Sequence, residues 1–499
     1  MIYNINGIEV DTDFGLRDKN GESIPIQPQS FKLLCYLLKH ANKLISKPQI
    51  KADVWNSDQV GDAAVNSCVK KIREALSDSK KSILKTTHKR GYTLNLPKNN
   101  QLPIIAIYPF LSLSTNDEYS DNLRQMLEYD LHSAISRSKR FTVIPQQLIS
   151  SLIETDRSHE KIFRELDVTY ILQGSVAITE DRFTLNVSLI DRNHHDIIAD
   201  AIPGAPNDLA TNGINFTARF LTKVIREIFR IEYNSTKNKP PSNLTAYDYY
   251  LQAFPYVWAM QKKSNAKALN CLRRALKLDP KYSPAIALMS LCIAQTVMYA
   301  WQPQADRDKC VKSANELADK ALEIDPTDPT TLTVHGTAKC LLGDLDGARD
   351  SVCKALEINP NDPWSWNRMG WIEGYSCNPD ESLACFKKAS HISPHDPMLF
   401  NIHFGEAQAY FIKKNYQAAL ESIMKSLSIS EDAVFIYRLR AACCFYLNKE
   451  REARESVKII LAENDSITST EIGALVPYED NEVRRRLVDG LVGAGLKEN

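Results

Sequence analysis

No uninterrupted apolar run in this chain approaches ~18 residues, so the sequence offers no bilayer-spanning helix. Net charge is absent as well, since 61 Lys and Arg balance 61 Asp and Glu. Whole-chain electrostatics therefore name no partner, and charge has to be read by segment. The eleven cysteines include no C-x-x-C pair. An odd, scattered set among helical apolar positions implies reduced thiols, and the vicinal Cys443–Cys444 pair reads as two helix-packing residues. There is no G-x-G-x-x-G or Walker loop, and no constellation of nucleophile, base and metal ligands. The acidic, alternating start "MIYNINGIEVDTDFG" suits neither a signal nor a transit peptide. Together these absences argue against an enzyme, a cofactor, a metal site or a membrane anchor, and imply a cytoplasmic protein.

What is present is a globular composition, 43% hydrophobic over 499 residues, which suggests about three domains. The first hundred residues begin with short alternating strands. Helical periodicity follows at "SFKLLCYLLKHA", with Phe31, Leu34, Leu37 and Leu38 on one face. A second helix lies near "SKPQIKADVW", with Ser46 as its N-cap and Pro48 in its first turn. A third runs over Ala63–Leu76, and "SILKTTHKRGYTLNL" closes the segment as two strands broken at Gly91. On the third helix Val65, Val69, Ile72 and Leu76 form a narrow stripe at about 100° per residue. Asn66, Ser67, Lys70, Lys71 and Glu74 fan across the other side, with Arg73 at its edge. From Val65 to Thr93 eight Lys and Arg face two acids, although 1–97 as a whole holds only 15 against 10. The positive charge falls on the helix and the hairpin. A helix carrying Asn, Lys and Arg can read base edges in a major groove. A cationic hairpin tip, here His88, Lys89 and Arg90, can lie against phosphates or reach a minor groove.

"VW" at 54–55, "VNSCVKKIREAL" and "ILKTTHKRGYTL" together resemble the winged helix-turn-helix of OmpR-type regulators, nearest the ToxR/CadC subgroup. The resemblance implies that Ala63–Leu76 is the recognition helix, with Lys70 and Lys71 near bases or phosphates. It also implies that Arg73 touches the DNA backbone and that Lys89–Arg90 form the wing tip. The loop holding Asn56, Ser57, Asp58 and Gln59 corresponds to the segment that meets RNA polymerase. Glu74, where a basic residue is common, departs from the pattern. No receiver domain is expected before this module, so aspartyl phosphorylation is not the expected control.

Past a polar linker (98–103), strands at "IIAIYPF", "FTVIP", "TYILQGSVAI", "RFTLNVSLIDR" and near "DIIADA" alternate with helices. The pattern predicts an α/β domain over 104–230, ending in a long helix. Gly174 reads as a bulge or packing site, and His194–His195 as solvated turn residues. "IAIYPF…ELDVTYILQGSV…LIDR" is similar to a TolB-N-like module. A second linker is expected at 231–244.

The remainder is a repeat. "ALKLDP", "ALEIDP", "ALEINP", "ASHISP" and the degenerate "SLSISE" close at 280, 326, 360, 394 and 431, so the intervals are 46, 34, 34 and 37 residues. This is the tetratricopeptide period, and it predicts an all-α solenoid over 245–499 ended by a capping helix at "NEVRRRLVDGLVGAGL". The 46-residue interval requires an insertion or longer helices near "TVMYAWQPQADRDKC". His391, His395 and His403 are read as ordinary repeat residues, and Trp364, Trp366 and Trp371 as packing. Such solenoids bind peptides in a groove or support homo-oligomers.

The expected architecture is therefore multidomain α+β: a winged helix at 1–97, an α/β domain and a repeat solenoid. That order resembles the HilA/EilA-type regulators. The resemblance implies a cytoplasmic activator of type III secretion and invasion genes that binds double-stranded promoter DNA and RNA polymerase. The alternative is a cytosolic tetratricopeptide adaptor or sensor with only weak, nonspecific DNA binding.

Overall fold

The computed structural model describes residues 2–499 apart from 6–7, 12–14, 18–21, 41–43, 56–59, 79–80, 82, 88–89, 95–101, 114–117, 156–157, 179–182, 193–195, 205, 238, 240–243, 395 and 397. The chain divides into two units, 1–99 and 100–499.

In the first unit β1 (Ile2–Ile5), β2 (Ile8–Asp11), β3 (Gly15–Arg17) and β4 (Ser23–Ile24) form an antiparallel sheet in chain order. Helix α1 (Pro28–Lys39) buries Leu33, Leu34, Leu37 and Leu38. Phe31, expected on that stripe, is only half-buried, and Leu33 takes its place. The second helix is short: α2 (Lys47–Ile50) widens into a π-helical turn over Lys51–Trp55. Ser46 caps it, accepting from the Gln49 N–H. Helix α3 (Asp62–Ala75) and the hairpin β5 (Leu84–Thr87) and β6 (Gly91–Leu94) complete the unit. Val10, Leu34, Ile50, Val65, Ile72, Leu84 and Leu94 meet in one core.

The second unit starts as a mixed sheet. Its strands are β7 (Ile104–Ile107), β8 (Leu111–Ser112), β9 (Thr142–Val143), β10 (Tyr170–Ile178), β11 (Phe183–Asp191) and β12 (Asp196–Gly204). The order is β12-β11-β10-β7-β9, with β8 also on β10. β7 runs parallel to β9 and β10, and β10, β11 and β12 form an antiparallel meander. Helices α4 (Glu118–Arg137) and α7 (Pro206–Lys237) supply Leu127, Leu131, Val224 and Ile228 to a core with Ile105, Ile107 and Leu172 on one sheet face. On the other face α5 (Gln146–Thr155) and α6 (His159–Glu165) bring Ile149, Ile162 and Phe163 against Ala106 and Ile171. Gly174 stays in register opposite Val187, so it is not a bulge. A Cβ there would sit 2.5 Å from the Asn186 carbonyl oxygen, which makes it a packing glycine.

Helix α7 runs through 231–237, residues that the sequence reading assigns to a linker. Thr236 is buried and accepts from Gln252, while the Tyr170 hydroxyl donates to Glu232. Tertiary contacts thus extend the helix past its apolar pattern. The same apolar core continues from the sheet through α7 into the first repeats, reaching Leu251, Leu272, Ile286 and Val334. The α/β layer and the repeats therefore form one unit.

The repeat helices pair in order. They are α8 (Ala246–Trp258) with α9 (Lys262–Leu278), α10 (Ser283–Met298) with α11 (Arg307–Ile324), and α12 (Pro329–Leu341) with α13 (Leu345–Ile358). Next come α14 (Pro363–Tyr375) with α15 (Pro379–Ile392), α16 (Leu399–Ile412) with α17 (Tyr416–Ile429), and α18 (Ile436–Tyr446) with α19 (Glu450–Glu463). The recurring motif ends the second helix of each pair. At Asp279, Asp325, Asn359 and Ser393 the backbone N–H donates to the carbonyl of the alanine four residues back. Those alanines, 275, 321, 355 and 389, are fully buried, because only a small side chain lets the paired helix approach. The long interval is a turn at 299–303 with a 3-10 helix, Gln304–Asp306, before α11. Cys443 and Cys444 are buried in α18, and Trp371 is buried with its indole on Asn401. Trp366 donates to the Pro360 carbonyl beneath Lys388.

After α20 (Ser469–Leu475), the chain crosses the C-terminal ends of three first helices before and along α21 (Asn481–Gly493). The Glu479 N–H donates to the Tyr375 carbonyl at the end of α14. Arg486 donates to the Phe411 and Ile412 carbonyls at the end of α16. The Tyr446 hydroxyl, at the end of α18, donates to the Arg486 carbonyl. A cation on exposed helix carbonyls is favourable there. The insertion turn joins in: Tyr299 stacks on Phe435 at 4.1 Å, and Arg438 donates to its carbonyl.

Candidate nucleic-acid interface

Helix α3 has a buried stripe of Val65, Cys68, Val69 and Ile72, and Leu76 follows it into the core. Asn66, Ser67, Lys70 and Glu74 are exposed on the other side, while Lys71 and Arg73 are half-buried. Lys70 and Glu74 stand one turn apart at 3.9 Å, so Glu74 offsets the charge of Lys70 locally.

Two of the basic residues are engaged within the unit. Arg73 donates from Nε and Nη2 to the Leu84 carbonyl, at 3.0 and 2.6 Å, and from Nη2 to the Thr86 hydroxyl at 2.8 Å. The resemblance implies a contact of this guanidinium with the DNA backbone; within the unit it also clasps the hairpin, because β5 passes within its reach. Lys71 donates to Gln27 Oε1 at 2.5 Å. Asn66 is held by Tyr92, whose hydroxyl donates to Asn66 Oδ1 at 2.5 Å. Asp78, counted among the acids of this stretch, is buried and accepts from the Ile83 and Leu84 N–H groups, so it shapes the hairpin.

The start of α3 is anchored by a pair of lysines that the sequence reading did not single out. Asp62 lies 2.8 Å from Lys47 and 2.7 Å from Lys51. The hydrogen bond from Lys47, then that from Lys51, holds its carboxyl down at about 2. The signal was an acid at the first helical position, where it also complements the helix dipole.

At the hairpin tip the exposed Arg90 donates its backbone N–H to the Thr87 carbonyl. His88 and Lys89 lie outside the described residues, as do Asn56, Ser57, Asp58 and Gln59 of the expected polymerase-contact loop. Gly91 has φ +142°, and a Cβ would stand 1.9 Å from the Ile45 carbonyl oxygen. Ile45 and Tyr92 exchange both backbone hydrogen bonds at 2.9 Å. The glycine therefore admits a third backbone beside the hairpin, and does more than turn the chain. The result is a polar helix face joined to a hairpin through side-chain and backbone bonds.

Among the described residues, no group of His, Cys, Asp and Glu is placed to hold a metal ion. His194, His195 and His395 lie outside them. No described helix is long and apolar enough to cross a membrane.

Residues 21–94 match the family model for the C-terminal domain of transcriptional regulatory proteins. Residues 100–210 match the second domain of HilA/YgeH-like transcriptional regulators, and 401–432 match a tetratricopeptide repeat. The transcriptional regulator HilA of Salmonella paratyphi A is 22% identical over 342 residues, which are 64% of this chain and 57% of that protein. The chain thus spans little more than half the length of that relative. A putative adenylate cyclase 3 of Rhizobium meliloti is 23% identical over 231 residues, 46% of this chain and 38% of its own. Among solved structures, a thermophilic tetratricopeptide protein of Thermus thermophilus aligns with 40% of this chain and 99% of its own, at 16% identity and TM-score 0.30. With an OmpR-type DNA-binding domain, a HilA/YgeH-like second domain and tetratricopeptide repeats in that order, the chain is similar to the HilA-type transcriptional regulators.

Proposed function

We propose that the chain is a sequence-specific transcriptional activator of type III secretion and invasion genes, acting in the cytoplasm on double-stranded promoter DNA. The observation that carries the reading is the exposed polar face of α3, with Asn66, Ser67, Lys70 and Glu74, bonded to a hairpin ending in Arg90. A helix of this kind enters a major groove, and a basic hairpin beside it meets phosphates. Lys70 and Lys71 are assigned to bases or adjacent phosphates, and His88, Lys89 and Arg90 to the flanking backbone. Arg73 acts chiefly by holding helix and hairpin together. The loop Asn56–Gln59 is assigned to RNA polymerase. The central domain over 104–230 is assigned to the TolB-N-like kind, and the repeats over 245–499 to a protein partner or a second copy of the chain.

Footprinting of the full chain on a promoter library at physiological salt tests this reading. Protection of a defined site is expected; uniform or absent protection would leave only the adaptor alternative. Replacing Lys89 and Arg90 by Ala should flatten the salt dependence by about one to two phosphate equivalents. Deleting the repeats should reduce activation more than DNA binding, and equal losses would point to repeat-driven oligomerisation.

A further inference from the structure

Helix α7 leaves the central sheet and passes the N-terminal ends of α12, α14 and α16. Between it and those ends lies a cavity of about 650 Å³, lined on one side by Ile225, Phe229 and Tyr233 and on the other by Trp258, Trp364 and Phe400. Small-molecule sites typically occupy ~300–1,000 Å³. Because α7 belongs to this chain and forms one wall, the space lies between two layers of the same unit.

Four aromatic rings form a connected wall. Phe229 meets Phe254 at 4.9 Å, Phe254 meets Trp258 at 5.6 Å, and Trp258 meets Trp364 edge-on at 5.1 Å. Arg140 covers Phe229 and Phe254 with its guanidinium, 5.5 and 5.9 Å from the ring centres, and so fixes that end of the wall. Rings packed this way alternate faces and edges, an apolar surface that can take a further aromatic ring.

The polar groups lining the chamber are less settled. Asn367 is 2% exposed, and neither its Oδ1 nor its Nδ2 has a hydrogen-bond partner. The indole nitrogens of Trp258 and Trp364 are likewise buried and unpartnered. A folded protein leaves few such groups, and each one calls for a physical cause. Three of these four are donors. The nearby carboxylates are already engaged: Asp362 accepts from the Ser365 N–H and hydroxyl, and Asp396 accepts from the Met398 N–H. Arg140, Arg226 and Arg230 add positive charge to the lining. The group that would satisfy this chamber is an acceptor, attached to an apolar body.

We propose that the cavity between α7 and the repeats binds a small effector with a flat, aromatic body and an acceptor-bearing end, for which a carboxylate is the simplest form. Its body lies along the Phe254–Trp258–Trp364 wall, and its acceptor end lies beside Asn367, among Arg140, Arg226 and Arg230. A ligand so placed lies between α7 of the central layer and two repeats, those of α8 and α14.

The test uses the full chain and needs no DNA, so its outcome is separate from that of promoter binding. The probe is 8-anilinonaphthalene-1-sulfonate, which has aromatic rings and one anionic end. Saturable binding of one equivalent is expected, with energy transfer from the tryptophans, displacement by 1-naphthoate and weaker displacement by 1-methylnaphthalene. Asn367→Leu should weaken binding at least tenfold. Ile225→Trp, which fills the chamber without altering its polar groups, should abolish it while far-ultraviolet circular dichroism stays unchanged. 1-Naphthoate should also raise the melting temperature of the unaltered protein. The proposal is overturned if no saturable site exists, if both variants bind like the parent chain, or if extended peptides displace the dye and 1-naphthoate does not.

Discussion

Arg73 and Leu84 are joined by two hydrogen bonds, from guanidinium Nε and Nη2 to a single carbonyl oxygen at 3.0 and 2.6 Å. The helix that would enter DNA and the hairpin that would flank it are thereby set at a fixed relation. Arg73→Ala should cost about 1.5–3 kcal/mol, the range for charge-assisted hydrogen bonds. Hydrogen exchange should speed up through Leu84–Leu94, and DNA affinity should fall evenly across sequences. Arg90→Ala should leave exchange unaltered and reduce only the salt dependence. Unchanged protection in Arg73→Ala would show that packing alone holds the hairpin.

Gly91→Ala should be among the most damaging single changes in the first unit. It combines a left-handed backbone with a Cβ placed 1.9 Å from the Ile45 oxygen. The Ile45–Tyr92 pair has to separate, at a cost of about 2–4 kcal/mol. Urea unfolding monitored through Trp55 would measure it, and a loss below about 1 kcal/mol would contradict the close approach.

The Asp62 anchor should be visible in acid. Its folded carboxyl titrates at about 2, below the ordinary aspartate value. The stabilisation is therefore fully present above pH ~4 and lost as pH falls toward 2. Asp62→Asn should remove that part of the acid transition, and added salt should shrink the difference, because the group is exposed. Identical acid limbs in the two proteins at low salt would rule out the anchor.

Arg438 predicts the opposite sign. Burial pushes its guanidinium down to about 10, against the weaker pull of the Glu463 carboxylate. A base whose folded pKa is depressed weakens the fold wherever it is charged, here at all pH below ~10. Arg438→Met should leave the melting temperature near neutrality unchanged or higher, in spite of the lost bond to the Tyr299 carbonyl. A drop of more than ~3 kcal/mol would mean that this bond outweighs the desolvation.

Local periodicity made α3 and the repeat register readable from sequence, since Val65, Val69 and Ile72 recur at helical spacing and the motif around Ala355 recurs every 34 residues. Contacts distant in sequence were not readable. Arg73 finds Leu84 only once the hairpin has folded back. The end of α7 is polar, and Thr236 is helical because Gln252 and the neighbouring packing hold it there. The chamber beside Asn367 needs residues from 138 to 430 and has no local signature.

The crossing segment that carries Glu479 and Arg486 changes what recruitment by the repeats involves. Its bonds to the ends of α14, α16 and α18 cover those ends with a segment of the same chain. A protein seeking those helix ends must displace it, so its apparent affinity is its intrinsic affinity reduced by that occupancy. A partner for the outer faces of the repeats meets no such competition, and on this account the two modes of recruitment differ in threshold even where their contacts are equal in strength.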